Sequence, residues 1–152
     1  MTEEIYAMPF FVRLIVRDPE VSSKWYQDVL GFKHIFTLPG PEGQPALVHL
    51  RWVKYADLLL SPLRDGEELP EPRGAGVSLN FSMFDRFGGS VDTLADQART
   101  MGANILSGPL ERLWDVRELT IRDPNGYQLI FTAPLNTNLN FDEVVKRASS
   151  QK

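Results

Sequence analysis

Two histidines are the first side chains of this sequence to consider as ligands of a metal ion. The chain contains two His and no Cys, so it offers neither a thiolate nucleophile nor a Cys-ligated zinc site. His34 and His49 both fall in segments with strand-like patterns. Together with Asp57 or Glu118, they would supply the nitrogen and oxygen ligands that zinc takes. The alternative is two ordinary strand histidines, partly exposed or satisfied by hydrogen bonds.

Three acidic residues, Asp115, Glu118 and Asp123, form a second group of candidates for ligand contact. Asp123 begins the run Asp-Pro-Asn-Gly, in which Pro fixes φ while Asn and Gly tolerate positive φ, so we expect it to form a tight turn. We expect Glu118 and Arg117 to form a salt-bridged strand face. The chain has no Gly-rich phosphate loop, nucleophile elbow or His-Glu-x-x-His motif.

Composition excludes several classes of protein. The 152 residues are 43% hydrophobic and 24% charged, as in an ordinary globular domain with a real core. A net charge of −4 argues against binding to a nucleic-acid backbone. The N-terminus, MTEEIYAMPFF, does not resemble a signal peptide, and no apolar run approaches the roughly 20 residues that span a bilayer. We therefore expect a cytoplasmic protein.

The first half of the chain predicts the order β-α-β-β-β. In the first strand, residues 10–17, alternation separates Val12, Leu14 and Val16 from Phe11, Arg13 and Ile15. Asp18 and Pro19 predict a helix start, and Gly31 its end. The helix has Val21, Trp25 and Val29 at helical spacing, with Tyr26 and Leu30 beside them. Three more strands are expected at residues 32–38, 46–54 and 57–62.

The second half repeats this order after a polar connection at residues 63–75. Residues 76–83 alternate as a strand. A helix is expected from about Ser90 to Gly102, with an apolar stripe of Val91, Leu94, Ala95, Ala98 and Met101. A short strand at 103–107 is followed by a hairpin of strands 116–122 and 127–132 around the Asp-Pro-Asn-Gly turn. Asn140 to Glu143 then predicts a capping box for a short helix through Ala148.

Two segments resemble a known family. The run LIVRDPEVSSKWYQDVLGF at residues 14–32 and the closing hairpin around DPNG are similar to the vicinal oxygen chelate superfamily, which contains glyoxalase I, extradiol dioxygenases and bleomycin-resistance proteins. The resemblance implies an α+β fold of two paired βαβββ modules. We expect one domain at residues 1–134, with half-modules at about 9–62 and 75–134, and a tail at 135–152.

The resemblance also implies where a metal would bind. Metal-using relatives hold one divalent ion with four side chains, from the first and last strands of each half. Strand register places these positions at Phe11, near Leu59, at Gly76 and at Ile130. None of the four side chains offers a lone pair, so we expect no metal and no other cofactor.

Each helix is expected to cover one face of its sheet, which leaves the other face to form a cleft. Strand parity predicts a cleft lining of Phe11, Arg13, Leu59, Ser61, Ser78, Asn80, Ser82, Gln128, Ile130 and Thr132. The parity of the strand with His49, Arg51 and Trp52 is not determined by its sequence. Aromatic, hydroxyl, amide and guanidinium groups together indicate a site for an organic ligand.

The leading hypothesis is metal-independent binding of a small organic molecule, a drug or metabolite, as in the bleomycin-resistance branch. Proteins of that branch are dimers that sequester an antibiotic, so the resemblance implies a homodimer and a role in antibiotic resistance. One alternative is an enzyme, a lyase, isomerase or oxygenase, with a non-standard site. Another is an interaction module whose cleft is filled by Phe11, Leu59 and Ile130. No catalytic residue is assigned.

Overall fold

Two four-stranded sheets, each with its own helix, repeat the same order of elements. The computed structural model describes residues 4–135 and 140–150. The chain divides into two units, Met1–Ala75 and Gly76–Lys152. In the first unit the elements are β1 (Phe11–Val16), α1 (Pro19–Leu30), β2 (Lys33–Pro39), β3 (Pro45–Val53) and β4 (Ala56–Pro62).

The second unit repeats this order and adds a C-terminal helix. Its elements are β5 (Leu79–Ser82), a single 3₁₀ turn (Arg86–Gly89), α2 (Val91–Thr100), β6 (Asn104–Arg112), β7 (Val116–Arg122), β8 (Gln128–Pro134) and α3 (Phe141–Ser149). The strand orders are β1-β4-β3-β2 and β5-β8-β7-β6, and the first pair of each sheet is parallel. The α+β fold of two βαβββ modules is thereby confirmed.

Helix α1 begins and ends where the sequence predicts. The Asp18 carboxylate accepts hydrogen bonds from the amides of Glu20 and Val21, and Gly31 closes the helix at a φ of 71°. One member of the predicted apolar stripe is wrong, because Val21 is 60% exposed. The buried residues of the helix are Pro19, Ser22, Ser23, Tyr26, Val29 and Leu30. Two small serines, which an apolar pattern does not register, lie on the buried side.

The predicted alternation of β1 is confirmed, since Leu14 and Val16 are buried while Phe11 and Arg13 are exposed. Strand register extends this core face across the sheet, because Leu14 lies opposite Leu60. The buried side chains of β3 and β4 on this face are Val48, Leu50, Trp52, Leu58 and Leu60. We call the opposite face, which carries Phe11 and Arg13, the open face of the first sheet.

In the second unit, helix α2 follows the prediction closely. The Ser90 hydroxyl accepts a hydrogen bond from the Thr93 amide, and the buried residues are Val91, Leu94, Ala95 and Ala98. The predicted strand start at residue 76 is wrong, because β5 begins at Leu79 and Val77 is 68% exposed. Here alternation continues into a polar, solvent-exposed segment, so the pattern alone extends the strand too far.

The Asp-Pro-Asn-Gly turn is confirmed. The Asp123 carboxylate accepts hydrogen bonds from the amides of Asn125 and Tyr127, which holds the loop between β7 and β8. Tyr127 belongs to the turn, and Leu129 and Phe131 are fully buried. The alternate residues of β8, Gln128, Ile130 and Thr132, point to what we call the open face of the second sheet.

The predicted cap of the C-terminal helix is also confirmed. The Asn140 side chain accepts a hydrogen bond from the Glu143 amide, and α3 has no buried residue. Residues 136–139 and 151–152 of the predicted tail lie outside the described part of the chain. In the part that is described, every helix is too short or too polar to cross a membrane.

Candidate functional site

Strand pairing determines which side chains share the open face of the first sheet. Arg13 lies opposite Leu59 on β4, and Leu59 lies opposite His49 on β3. The next row along the strands is formed by Phe11, Asp57 and Arg51. The parity that the sequence left undetermined is thus resolved, because His49 and Arg51 belong to the open face.

The four ligand-binding residues predicted in the first unit share this face. Phe11 is 43% exposed, and the Arg13 Nε donates a hydrogen bond to the Ser61 hydroxyl at 2.9 Å. Leu59 and Ser61 are buried beside them. The face therefore combines an aromatic ring with a guanidinium that a neighbouring hydroxyl holds in place.

A buried polar cluster lies on the same face and was not predicted as a unit. Asp57 is its centre: Oδ1 accepts hydrogen bonds from His49 Nε2 and from Arg51 Nε, both at 2.8 Å. His49, Arg51 and Asp57 are 5%, 5% and 4% exposed. Since a carboxylate only accepts, Nε2 of His49 carries the proton, and in the neutral ring Nδ1 is the acceptor.

The segment that precedes β1 completes this cluster. The Tyr6 hydroxyl donates to Asp57 Oδ2 at 2.7 Å, and its ring lies 4.3 Å from Cζ of Arg51. Arg51 Nη1 donates to the Glu4 carbonyl at 2.7 Å. Burial, with the Asp57 hydrogen bond second, raises the pKa of Tyr6. No periodic pattern predicts this contact, because residues 4–10 form neither helix nor strand.

The second unit presents the other predicted ligand-binding residues on its own open face. Asn80 lies opposite Ile130, which lies opposite Thr120, and Gln128 lies opposite Arg122. The Asn80 amide donates to the Ser78 hydroxyl at 2.9 Å. Asn80, Ser78 and Gln128 are exposed and Ile130 is half-buried, so amide and hydroxyl groups surround one apolar side chain.

The predicted pairing of Glu118 with Arg117 is wrong. Glu118 accepts a hydrogen bond from Arg112 Nε at 2.6 Å, whereas Arg117 forms two bonds with Asp92 of α2, at 2.7 and 2.8 Å. Successive residues of a strand point to opposite faces, so neighbours in sequence cannot share a face. Asp115, the third acidic candidate, lies 3.4 Å from Nη1 of Arg147.

The residues at the four expected metal positions do not fit a divalent ion. Phe11, Leu59 and Ile130 offer no donor atom. Gly76 lies outside β5, and register makes Ser78 the counterpart of Phe11, because Asn80 pairs with Ile130 as Arg13 pairs with Leu59. A neutral hydroxyl in one of four positions does not replace imidazole and carboxylate ligands.

The two histidines do not form the alternative zinc site either. His34 lies opposite Leu50, on the core face of the first sheet, and its Nε2 is 2.7 Å from the Thr37 hydroxyl. His49 belongs to the open face, so a sheet separates the two imidazoles. Among residues 4–135 and 140–150, no three His, Asp or Glu side chains are grouped so that they could hold a metal ion.

Comparison with solved structures shows the same fold in bacterial proteins. TioX from Micromonospora sp. ML1 is 22% identical with a TM-score of 0.64, and the alignment covers 82% of this chain and 97% of TioX. TnmS3, an antibiotic binding protein from Streptomyces sp. CB03234, is 20% identical with a TM-score of 0.60, and 87% and 98% of the two chains are covered.

A third structure extends the comparison to a resistance protein. The fosfomycin resistance protein FosX from Listeria monocytogenes is 12% identical with a TM-score of 0.61, and 93% of this chain and 99% of FosX are covered. No curated protein sequence matches this chain. The family model of the Glyoxalase/Bleomycin resistance protein/Dioxygenase superfamily matches residues 9–131. With the paired βαβββ fold, this match shows that the chain belongs to that superfamily.

Proposed function

We propose that this protein binds a small organic molecule, a drug or metabolite, without a metal ion. The proposal rests on one observation, that Phe11, Leu59 and Ile130 lie on open sheet faces at the positions where the resemblance places metal ligands. Side chains that form hydrogen bonds lie beside them, namely Arg13, Ser61 and Asn80. Apolar burial with a few fixed polar groups provides affinity without breaking a bond.

The likeness to an antibiotic binding protein and to a fosfomycin resistance protein suggests an antibiotic as one class of ligand. At 12–20% identity these likenesses show a shared fold, and an antibiotic ligand is part of what we propose. A homodimer is proposed on the family resemblance, and a monomer mass in light scattering at micromolar concentration would contradict it. A cytoplasmic location and the absence of a nucleic-acid partner stay predictions of the sequence.

An enzyme is the second candidate, and the His49–Asp57 pair favours it. Asp57 fixes the proton of His49 on Nε2, which leaves Nδ1 as a base. Such a site would move a proton without a metal ion. An interaction module with a filled cleft is a third possibility, in which Leu59 and Ile130 only pack.

Two measurements test the proposal, one against a metal-dependent enzyme and one against a filled-cleft module. Metal analysis of protein purified without chelator should give no stoichiometric zinc, nickel, iron or manganese, and a metal whose removal abolishes an activity would overturn the proposal. A thermal-shift screen of antibiotics and metabolites should give compounds that raise the melting temperature, because a ligand that binds only the native state must stabilise it. If no compound does so, the filled-cleft module is favoured.

Variants then locate the binding face. For any compound found, Phe11→Ala should weaken binding, while Phe141→Ala, at an exposed ring of α3, should not. Restoring an imidazole and a carboxylate with Phe11→His and Ile130→Glu should create at most a weak zinc site, because Leu59 contributes no ligand and Ser78 only a neutral hydroxyl. Submicromolar, stoichiometric zinc binding by the wild type would refute a metal-free site.

A further inference from the structure

The guanidinium of Arg51 is held on three sides and has one donor group left over. Nε donates to Asp57, Nη1 donates to the Glu4 carbonyl, and the Tyr6 ring lies over Cζ. Nη2 is buried, and no described residue accepts its hydrogen bonds. A buried charged donor without an acceptor is costly, so this group is suited to an oxygen atom that the folded chain does not supply.

Neighbouring groups indicate the charge of that missing partner. The open face of the first sheet carries two guanidinium groups, of Arg13 and Arg51, and one buried carboxylate, of Asp57. Nε2 of His49 donates to Asp57, and no described residue bonds its Nδ1. The face is therefore net positive although the whole chain has a charge of −4. An anion fits this local field, and a cation does not.

We propose that Arg51 binds a carboxylate of the ligand through Nη2, so that the protein selects organic anions. This inference rests on the proposed ligand-binding function and names the chemical class of the ligand. Asp57 and Tyr6 act as positioning residues, because they hold the guanidinium plane but leave Nη2 to the ligand. The Nδ1 atom of His49 accepts a hydrogen bond from a hydroxyl or a water molecule beside that carboxylate.

We expect access to Nη2 to require a shift of Glu4, whose carbonyl lies on the neighbouring Nη1. Glu4 and Tyr6, which contact the guanidinium, belong to residues 4–10, a stretch without helix or strand. Tyr6 holds this stretch to Asp57 by its hydroxyl hydrogen bond, and residue 10 joins the stretch to β1. A carboxylate oxygen that reaches Nη2 lies beside the Glu4 carbonyl, which stays the acceptor of Nη1.

The test uses three aromatic probes that differ only in their polar group: benzoate, benzyl alcohol and benzylammonium. Each is titrated at millimolar concentration into ¹⁵N-labelled protein while the side-chain NMR signals of Arg51 are recorded. Benzoate should shift those signals and raise the melting temperature, and the other two probes should do neither. If benzoate leaves the Arg51 signals unchanged, the inference is overturned.

Variants test the same claim independently. Arg51→Lys keeps a positive charge but loses the planar fork, and should weaken benzoate binding about tenfold or more, as expected for a lost charge-assisted hydrogen bond. Arg51→Gln should weaken it further. Arg117→Gln, which removes a partly exposed guanidinium paired with Asp92, is the control and should not change binding. Equal benzoate affinity in wild type and Arg51→Lys would overturn the inference.

The outcomes also separate this inference from the proposed function. If benzyl alcohol binds as tightly as benzoate, the aromatic site stands and the preference for anions fails. If Arg51→Gln does not fold, the wild-type titration and Arg51→Lys still test whether Arg51 binds the carboxylate. Benzoate binding that shifts Arg51 and is lost in Arg51→Lys supports both the site and the ligand class.

Discussion

His49 Nε2 lies 2.8 Å from Oδ1 of Asp57, and the same oxygen accepts a second hydrogen bond from Arg51 at 2.8 Å. Among the described residues, Asp57 supplies the only carboxylate that pairs with Arg51. Asp57→Asn removes its charge with little change in shape. The variant should lower the free energy of unfolding by about 3–5 kcal/mol, because Arg51 is left as a buried unpaired charge. Chemical denaturation measures this loss.

Asp92→Asn is the matched control, since it breaks a carboxylate–guanidinium pair on the surface. Asp92 and Arg117 are both partly exposed, so the loss should stay below about 1 kcal/mol. Arg117 lowers the pKa of Asp92 through their hydrogen bonds. The small contribution of this pair is present above the unfolded pKa of 3.8 and falls as pH drops through the folded value. Equal losses in both variants would contradict a central role for Asp57.

Much of the fold was predictable because local rules and burial agree. Asp18 and Ser90 are caps that the sequence marks directly, and the DPNG turn leaves few alternatives. Apolar alternation in β1 predicts the buried pair Leu14 and Val16. The errors fall where the size or the exposure of a side chain determines its position. At Val77 the alternating pattern continues beyond the end of the sheet, and the side chain is exposed.

The candidate site was predicted only in part, because it depends on pairing between strands. The sequence indicates Phe11 and Arg13 from the parity of a single strand. The cluster of His49, Arg51 and Asp57 needs the register of β3 against β4, and the Tyr6 contact joins residues 51 positions apart. A His, an Arg and an Asp within nine residues of two otherwise apolar strands are a signal that could have suggested a polar site there.

Ionisation of Tyr6 should lower the free energy of unfolding at alkaline pH. Burial and the Asp57 hydrogen bond raise its pKa above 10.0 in the folded protein, so the fold favours the protonated phenol. The resulting stabilisation is complete below the unfolded pKa and is lost as pH rises through the folded value. Denaturation of wild type and Tyr6→Phe should therefore give a difference that is constant below about pH 9 and shrinks above about pH 10.

Tyr55→Phe is the control for this measurement, because Tyr55 contacts Tyr6 through its backbone amide and its ring edge. Its substitution keeps the Tyr6 hydroxyl in place, so the alkaline loss of stability should persist. A wild-type curve that runs parallel to that of Tyr6→Phe across this pH range would show that the phenol of residue 6 does not contribute.

Truncation of Leu60 should mainly lower stability, and truncation of Phe11 should mainly lower ligand affinity. Leu60 is fully buried on the core face, so Leu60→Ala should cost about 2–5 kcal/mol of unfolding free energy. Phe11→Ala should cost less than about 1 kcal/mol, since its ring is already 43% exposed. It should instead weaken ligand binding by roughly 1–3 kcal/mol through lost apolar contact. Calorimetric titration and denaturation of both variants check this contrast.

A Phe11→Ala variant that loses stability as Leu60→Ala does, with unchanged ligand affinity, would place Phe11 in a packed core. The filled-cleft alternative would then be preferred. The same result would remove the main support for assigning ligand contact by strand parity in the first unit.

Substitution of Gly108 tests whether the irregular part of β6 depends on close contact with β7. Its φ is 89°, and a Cβ there would clash with the Glu118 carbonyl oxygen. Gly102 has a similar φ of 73°, but a Cβ there would have no atom within 4 Å. Gly102→Ala should therefore cost only the backbone strain of about 1 kcal/mol, and Gly108→Ala distinctly more, because β6 must also move away from β7. Thermal unfolding of the two variants measures the difference, and equal melting temperatures would show that the strands separate there without cost.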